Sequence, residues 1–161
     1  MTRVCLLGSE DVNLRYELFS RETSREALAT YDLREPFANA IGVETVSLGA
    51  AVSLLNDLNW YLVRFVDTAL VLEPSVSETE WLSRDLARAV RDGDVEPDET
   101  DRFLKVYGLA TPEDDEFAED APSELVEPMF VTRTGDDIPD YDLRDVDETL
   151  VVRVTESEFG A

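Results

Sequence analysis

The chain contains no histidine. That absence removes Ser-His-Asp and Cys-His nucleophilic catalysis, the usual zinc sites and the commonest general base in one step. Cysteine occurs once, as Cys5, so no intramolecular disulfide and no thiolate metal cluster can form. Within Val4-Cys5-Leu6-Leu7 the thiol reads as a core side chain. Lysine also occurs once, as Lys105, and a serine–lysine arrangement would have to use it. It has no flanking motif and reads as a solvated surface residue on a short helix. Gly8 follows an apolar run, but neither a dinucleotide fingerprint nor a Walker sequence comes after it. The long apolar stretch 48–72 carries Asn56, Asp57, Asn59, Arg64 and Asp67, which argues against a membrane-spanning helix. Met1 to Gly8 lacks the basic start and apolar core of a signal peptide, so the expected compartment is the cytoplasm and no membrane is expected as a partner.

What the chain has in abundance is acid. Its 161 residues carry 37 Asp and Glu against 14 Lys and Arg, a formal charge of -23. Self-repulsion on this scale opposes a compact state in dilute buffer, and molar salt screens it. All basic residues except Lys105 are arginine, which is weakly hydrated and grips carboxylates in a rigid fork. Acidity with lysine depletion reads as adaptation to a salt-filled cytoplasm. Direct contact with nucleic acid is disfavoured, because phosphates need a basic surface. An acidic mimic of nucleic acid is a third-ranked alternative. With 43% hydrophobic residues the chain can still fill one core, and the expected organisation is a single domain, 1–161.

Along the chain, Thr2 to Leu7 reads as a strand ending at Gly8-Ser9-Glu10-Asp11. Alternation of Val12, Leu14, Tyr16 and Leu18 with polar neighbours predicts a second strand, with a helix as the alternative. Thr23 with Glu26, and Asp32 with Glu35, have capping-box spacing and predict two short helices between Thr23 and Ile41, the second ended by Gly42. Ala51, Leu55, Leu58, Leu62, Phe65, Ala69 and Leu72 follow steps of four and three. They predict one long amphipathic helix over about 49–72, stopped by Pro74. Ser77 and Glu80 predict the start of another helix, closed by Gly93, and a short helix is expected over 98–107. The stretch 111–127 holds eight acids, two prolines and no base, and reads as an acidic loop, partly disordered. Met129 to Thr132 and Thr149 to Thr155 read as strands flanking a second acidic loop, 135–148. The expected fold is α+β: a small, mainly antiparallel sheet of N- and C-terminal strands packed against a helical middle.

Few candidate sites survive. The cluster around Asp136, Asp140 and Asp142 is the weak candidate for a cation, but an EF-hand loop started at any of the three lacks the required glycine. With 37 acids some carboxylate pair will always qualify for glycosidase-like chemistry, so that pattern carries no information. Two features suit a partner. The ridge Arg84, Arg88 and Arg91 could hold an anionic group or a carboxylate patch. Local pairing, such as Glu80 with Arg84, is the bland alternative. Trp60, with Val63 and Val71, lies away from the main apolar stripe and could meet another layer or a second subunit.

Met1 to Phe37, with Arg15-Tyr16-Glu17-Leu18 and Asp32-Leu33-Arg34-Glu35-Pro36-Phe37, and the central Asn56-Asp57-Leu58-Asn59-Trp60 resemble a small haloarchaeal protein family of unknown function. The resemblance implies a salt-adapted cytoplasm and no particular activity. No catalytic residue and no cofactor is nominated. The leading expectation is a non-catalytic protein-binding or regulatory module acting through an unidentified protein partner or self-association. A small-molecule or cation-binding protein, or a carboxylate-based enzyme, is the alternative.

Thermal stability is expected to rise between 0.1 M and 1 M potassium chloride, a range over which the Debye length shortens from about 10 Å to about 3 Å. A melting temperature that stays flat or falls across that range, measured by circular dichroism, would contradict the salt-adaptation reading.

Overall fold

Val4-Cys5-Leu6-Leu7 is apolar at every position because it is covered on both sides: Val4 and Leu6 face a helical layer, while Cys5 and Leu7 face a second, smaller core. This strand, β1 (Thr2–Gly8), is a centre strand of one seven-stranded sheet in a computed structural model that describes residues 1–110, 123–143, 146 and 148–160. The others are β2 (Ala40–Thr45), β3 (Val66–Leu72), β4 (Trp81–Ser83), β5 (Phe103–Ala110), β6 (Glu124–Thr132) and β7 (Glu148–Arg153). Their spatial order is β2-β1-β3-β4-β7-β5-β6, and every pairing is antiparallel except β4 with β7. The expected α+β fold, with N- and C-terminal strands in one mainly antiparallel sheet, is the observed one.

The helices are α1 (Leu14–Phe19), α2 (Glu22–Leu28), α3 (Leu48–Asp57), α4 (Asn59–Phe65), α5 (Arg84–Asp92) and α6 (Glu156–Gly160). The larger core gathers Leu14, Leu18, Leu28, Leu55, Leu62 and Leu86 from the first five of these, with Leu58 between α3 and α4, against Val4, Leu6, Ile41, Val43, Val71 and Leu82 of the sheet. On the opposite face, Cys5, Leu70, Tyr107, Leu150 and Val152 pack with Phe37, Trp81, Phe103 and Phe159.

Several expected elements are different in the structure. The long helix over 49–72 is two helices and a strand. Leu58 (φ -91, ψ 4) breaks the first from the second, and Val66 (φ -111, ψ 124) turns the chain extended. β-Branched Val66, Thr68 and Val71 favour the strand. A central strand has no polar face, so Ala69 and Leu72 continued the helical spacing by coincidence. Residues 12–19 form α1 rather than a strand: Asn13 caps it by accepting from the Tyr16 amide (3.1 Å). Only Leu14 and Leu18, four apart, are buried, while Tyr16 is 66% exposed.

The helix expected up to Ile41 is absent. Pro36 and the left-handed Asn39 (φ 54) hold the segment irregular. Arg34 exchanges two backbone hydrogen bonds with Gly42 (2.9 and 2.7 Å), which sits inside β2 instead of ending a helix. Pro36 packs over Gly42, where an added Cβ would come within 3.1 Å of the ring. Ser77 does accept from the Glu80 amide (3.0 Å), yet β4 intervenes and Ser83 is the true cap of α5. The expected helix over 98–107 is a single 3-10 turn, Pro97–Glu99, followed by β5, whose Phe103, Lys105 and Tyr107 share one face. Of the first acidic loop, residues 111–122 lie outside the described residues, and 124–127 belong to β6. In the second, 144, 145 and 147 lie outside them, and Gly135 (φ 63) makes a turn closed by Thr134 and Asp137.

The two halves of the sheet meet where β4 and β7 pair, Trp81 with Val152 and Leu82 with Arg153. Glu80 locks that seam. Its carboxylate accepts from Arg153 Nε (2.8 Å) and from Arg133 (2.6 and 2.7 Å), the last residue having just left β6. Arg153 also donates to Thr100 Oγ1 at 2.9 Å. Burial disfavours the Glu80 carboxylate, but the hydrogen bonds and charges of Arg133 and Arg153 outweigh it and hold the carboxyl below its ordinary pKa.

Glu80→Gln is expected to cost about 3 kcal/mol of stability in urea at neutral pH, because it leaves two guanidiniums facing no charge. A carboxylate with a depressed folded pKa contributes fully above its unfolded value and loses that contribution as pH falls through the folded one. The gap between native and variant should therefore narrow below about pH 4.3. Equal urea midpoints at neutral pH would refute the clamp.

Candidate functional site

Trp60, the second residue of α4, is 46% exposed, and Val63 on the next turn is 72% exposed. α1 packs beside α4 and presents Tyr16 to solvent. The indole is nevertheless held in place. Arg64, one turn along, donates to the Trp60 carbonyl (2.8 Å), and its guanidinium carbon lies 3.9 Å from the indole centroid. Arg21, the residue before α2, approaches the same ring at 5.1 Å and Phe65 at 5.4 Å. Tyr61 and Phe65 meet Trp60 edge-on at 5.0 and 6.1 Å. A stacked guanidinium keeps its in-plane N–H donors available, so this patch offers an apolar ring with cationic forks beside it. Glu17 pairs with Arg21 at 3.8 Å.

The arginine ridge is spent mostly inside the fold. Arg84 donates to Asn59 Oδ1 (2.9 Å), Asn56 Oδ1 (3.3 Å) and the Leu55 carbonyl (3.4 Å). It thereby satisfies a carbonyl in the last turn of α3 and fastens α5 to the helix break at Leu58. Burial, and then the charge of Arg88, lower its pKa against the opposing pull of Asp85. Arg88 pairs with Asp85 at 3.1 Å and Arg91 with Asp92 at 2.8 Å. The expected Glu80–Arg84 pair does not form, since Glu80 is committed to Arg133 and Arg153. Of the four residues expected to bind a partner, Arg84 and Trp60 come near one another through Asn59, while Arg88 and Arg91 pair locally. Val71 is fully buried in β3, not on the back of a helix.

Asp136, Asp140 and Asp142 are all exposed, and among the described residues no group of three His, Cys, Asp or Glu could hold a metal ion. A wider hollow of about 590 Å³ opens where β1 ends, lined by Gly8, Asp11, Asn39, Asp67, Tyr107 and Glu124, among others. Asn39 shapes its rim by donating to the Val12 carbonyl (2.7 Å) and accepting from the Leu14 amide (3.0 Å). The acids there repel anionic substrates. Lys105 is not on a helix: it projects from β5 with its ammonium 5.0 Å from the Tyr107 ring and 5.6 Å from that of Phe130.

Sequence reasoning found Trp60 but missed Arg21, Arg64 and Tyr16. Arg64 carried a legible signal, four residues after a tryptophan. Arg21 carried none, because its nearness to Trp60 is made by tertiary packing.

A family model described as "Family of unknown function (DUF5804)" matches residues 2–109, and the chain belongs to that family. The matched span ends within β5, whereas β7, which separates β4 from β5 in the sheet, follows it in sequence. No curated protein matches the chain, and no solved structure does. No helix among the described residues is long and apolar enough to cross a membrane.

Burial pushes the Cys5 thiol up to about 12, so no thiolate is present at neutral pH. A disulfide reagent is expected to modify Cys5 in the folded protein only as fast as the chain opens, and rapidly in urea. Free-thiol rates under native conditions would show that the β1 core is misassigned.

Proposed function

We propose that this chain is a non-catalytic protein-binding module of a salt-rich cytoplasm, contacting its partner through the α1–α4 surface around Trp60. The observation that supports this most is the state of Trp60: half exposed, yet fixed by Arg64 and Arg21. A ring already held in one rotamer loses little conformational entropy on binding. Trp, Tyr and Arg are the residue types that dominate interface energies. The partner that fits carries carboxylates next to an apolar side chain, complementary to stacked guanidiniums on a chain whose net charge is -23. In molar salt the charges contribute mainly specificity, because exposed pairs are screened, and burial of the indole carries the affinity.

The acid-lined hollow beside β1 supports a second reading, a cation- or small-molecule-binding protein. Asp67 lines it without belonging to the Trp60 surface, so Asp67→Asn separates the two readings.

The test is affinity capture in molar potassium chloride with native, Trp60→Ala, Arg64→Ala and Asp67→Asn chains, each shown to be folded by circular dichroism. A stoichiometric partner of the native chain should bind Trp60→Ala at least about tenfold more weakly, the effect of losing roughly 2 kcal/mol at a hot spot. Binding that survives Trp60→Ala and Arg64→Ala but fails with Asp67→Asn would overturn the Trp60 surface in favour of the hollow. A native chain that captures nothing and runs as a monomer would overturn the module itself.

A further inference from the structure

The second core is closed at one end by α6, a five-residue helix with no buried residue of its own. Two adjacent side chains fasten it. Phe159 sets its ring 5.0 Å from that of Phe103 and 6.3 Å from that of Phe130. Glu158 reaches across to β4 and accepts a hydrogen bond from the buried Ser83 hydroxyl at 2.6 Å. The same carboxylate oxygen accepts from the Thr155 amide (3.1 Å), and Thr155 Oγ1 accepts from the Glu158 amide (3.1 Å), a reciprocal cap that gives α6 its one turn. Glu158 lines a cavity of about 240 Å³ together with Ser83, Arg84, Lys105 and Val152. Phe130 forms the outer rim and remains 48% exposed.

We propose that the groove beneath α6 is a second docking surface, for a protein segment in which a carboxylate is followed directly by an aromatic residue, and that α6 is its intramolecular occupant. The chemistry of the occupant is on view in the seated segment. Glu158 meets a serine hydroxyl at the start of α5, and Phe159 fills a slot between two phenylalanines with a lysine ammonium next to it. The strap is displaceable for physical reasons. One helical turn is far below the length at which a helix holds itself together. Among the described residues, the side chains that fasten it are the Phe159 ring and the Glu158 carboxylate, the profile of a segment that opens locally without global unfolding. A partner segment makes the same two contacts and can extend over the exposed half of Phe130. Tethering gives α6 a high effective concentration, so the groove is occupied by default and the apparent affinity for a partner is reduced by the fraction of time it is open.

The test uses a fluorescein-labelled peptide with the sequence of residues 154–161, titrated in molar potassium chloride into the full-length native chain and into full-length Phe159→Ala. The variant, with its strap released, should bind the peptide at least about tenfold more tightly than the native chain does. Peptides with Phe→Ala or Glu→Gln at the positions of Phe159 and Glu158 should bind neither. Equal binding of all three peptides to the variant, or no binding to a folded variant, would overturn the proposal. Should Phe159→Ala fail to fold, the native chain decides alone. Excess wild-type peptide should then shift the amide resonances of Val152 and Val154 by competition, and unchanged resonances would refute the groove.

Discussion

Glu80 places one carboxylate between the guanidiniums of Arg133 and Arg153 at the line where two half-sheets meet, and the architecture hangs on that seam. On one side β2, β1 and β3 carry the helical layer; on the other lie β7, β5 and β6, and the smaller core draws on both halves, from Cys5, Leu7 and Leu70 as well as Tyr107, Leu150 and Val152. Within the sheet, β4, three residues long, joins them through two residue pairs to each neighbour. So short a strand contributes little ladder bonding of its own. The ion triad supplies what the ladder lacks, because all three side chains are largely buried and the attraction is scarcely screened by salt. Arginine suits the position since its fork can serve one carboxylate and still reach Thr100. The arrangement is not saturated, for Arg133 Nε is buried without a hydrogen-bond partner among the described residues. Two cations against one anion fix the geometry of the seam more than they maximise its stability.

Around this seam the charge of the chain is unevenly distributed. Residues 92–148 hold 21 acids and 4 bases, while residues 1–91 hold 14 acids and 9 arginines. Arg21, Arg64 and Arg84 belong to the less acidic part, and two of them are stacked on Trp60. An acidic surface of this kind repels polyanions. The contact face proposed around Trp60 is accordingly built from rings and arginines.

How much of this was legible depended on whether a residue's environment is set locally. The stripe Ala51, Leu55, Leu58 and Leu62 is local and reads correctly as a buried helical face. The break at Leu58 and the passage into β3 do not, since a strand buried on both faces shows no alternation and its Ala69 and Leu72 fell on the helical spacing. Leu14 and Leu18 were legible as core, but Tyr16 and Val12 imitated strand alternation. Gly108, just past the helix expected over 98–107, is a strand residue covered by the Tyr141 ring, which an added Cβ would meet at 2.9 Å. The arginine ridge was visible, whereas the partners of Arg84, Asn56 and Asn59, come from two other helices. Glu80 was legible as a cap and as a local partner for Arg84, not as a clamp; its two arginines lie 53 and 73 residues away in sequence.

The central claim is that the seam makes one cooperative body of two half-sheets. Native-state hydrogen exchange in molar potassium chloride tests it directly. If the claim holds, the amides of Leu82 and Val152 share the slowest exchange class with those at the centres of β1 and β5, all opening only with global unfolding. If β5, β6 and β7 instead exchange together at much lower protection while β1 and β3 stay protected, the halves open independently and Glu80 does not unite them.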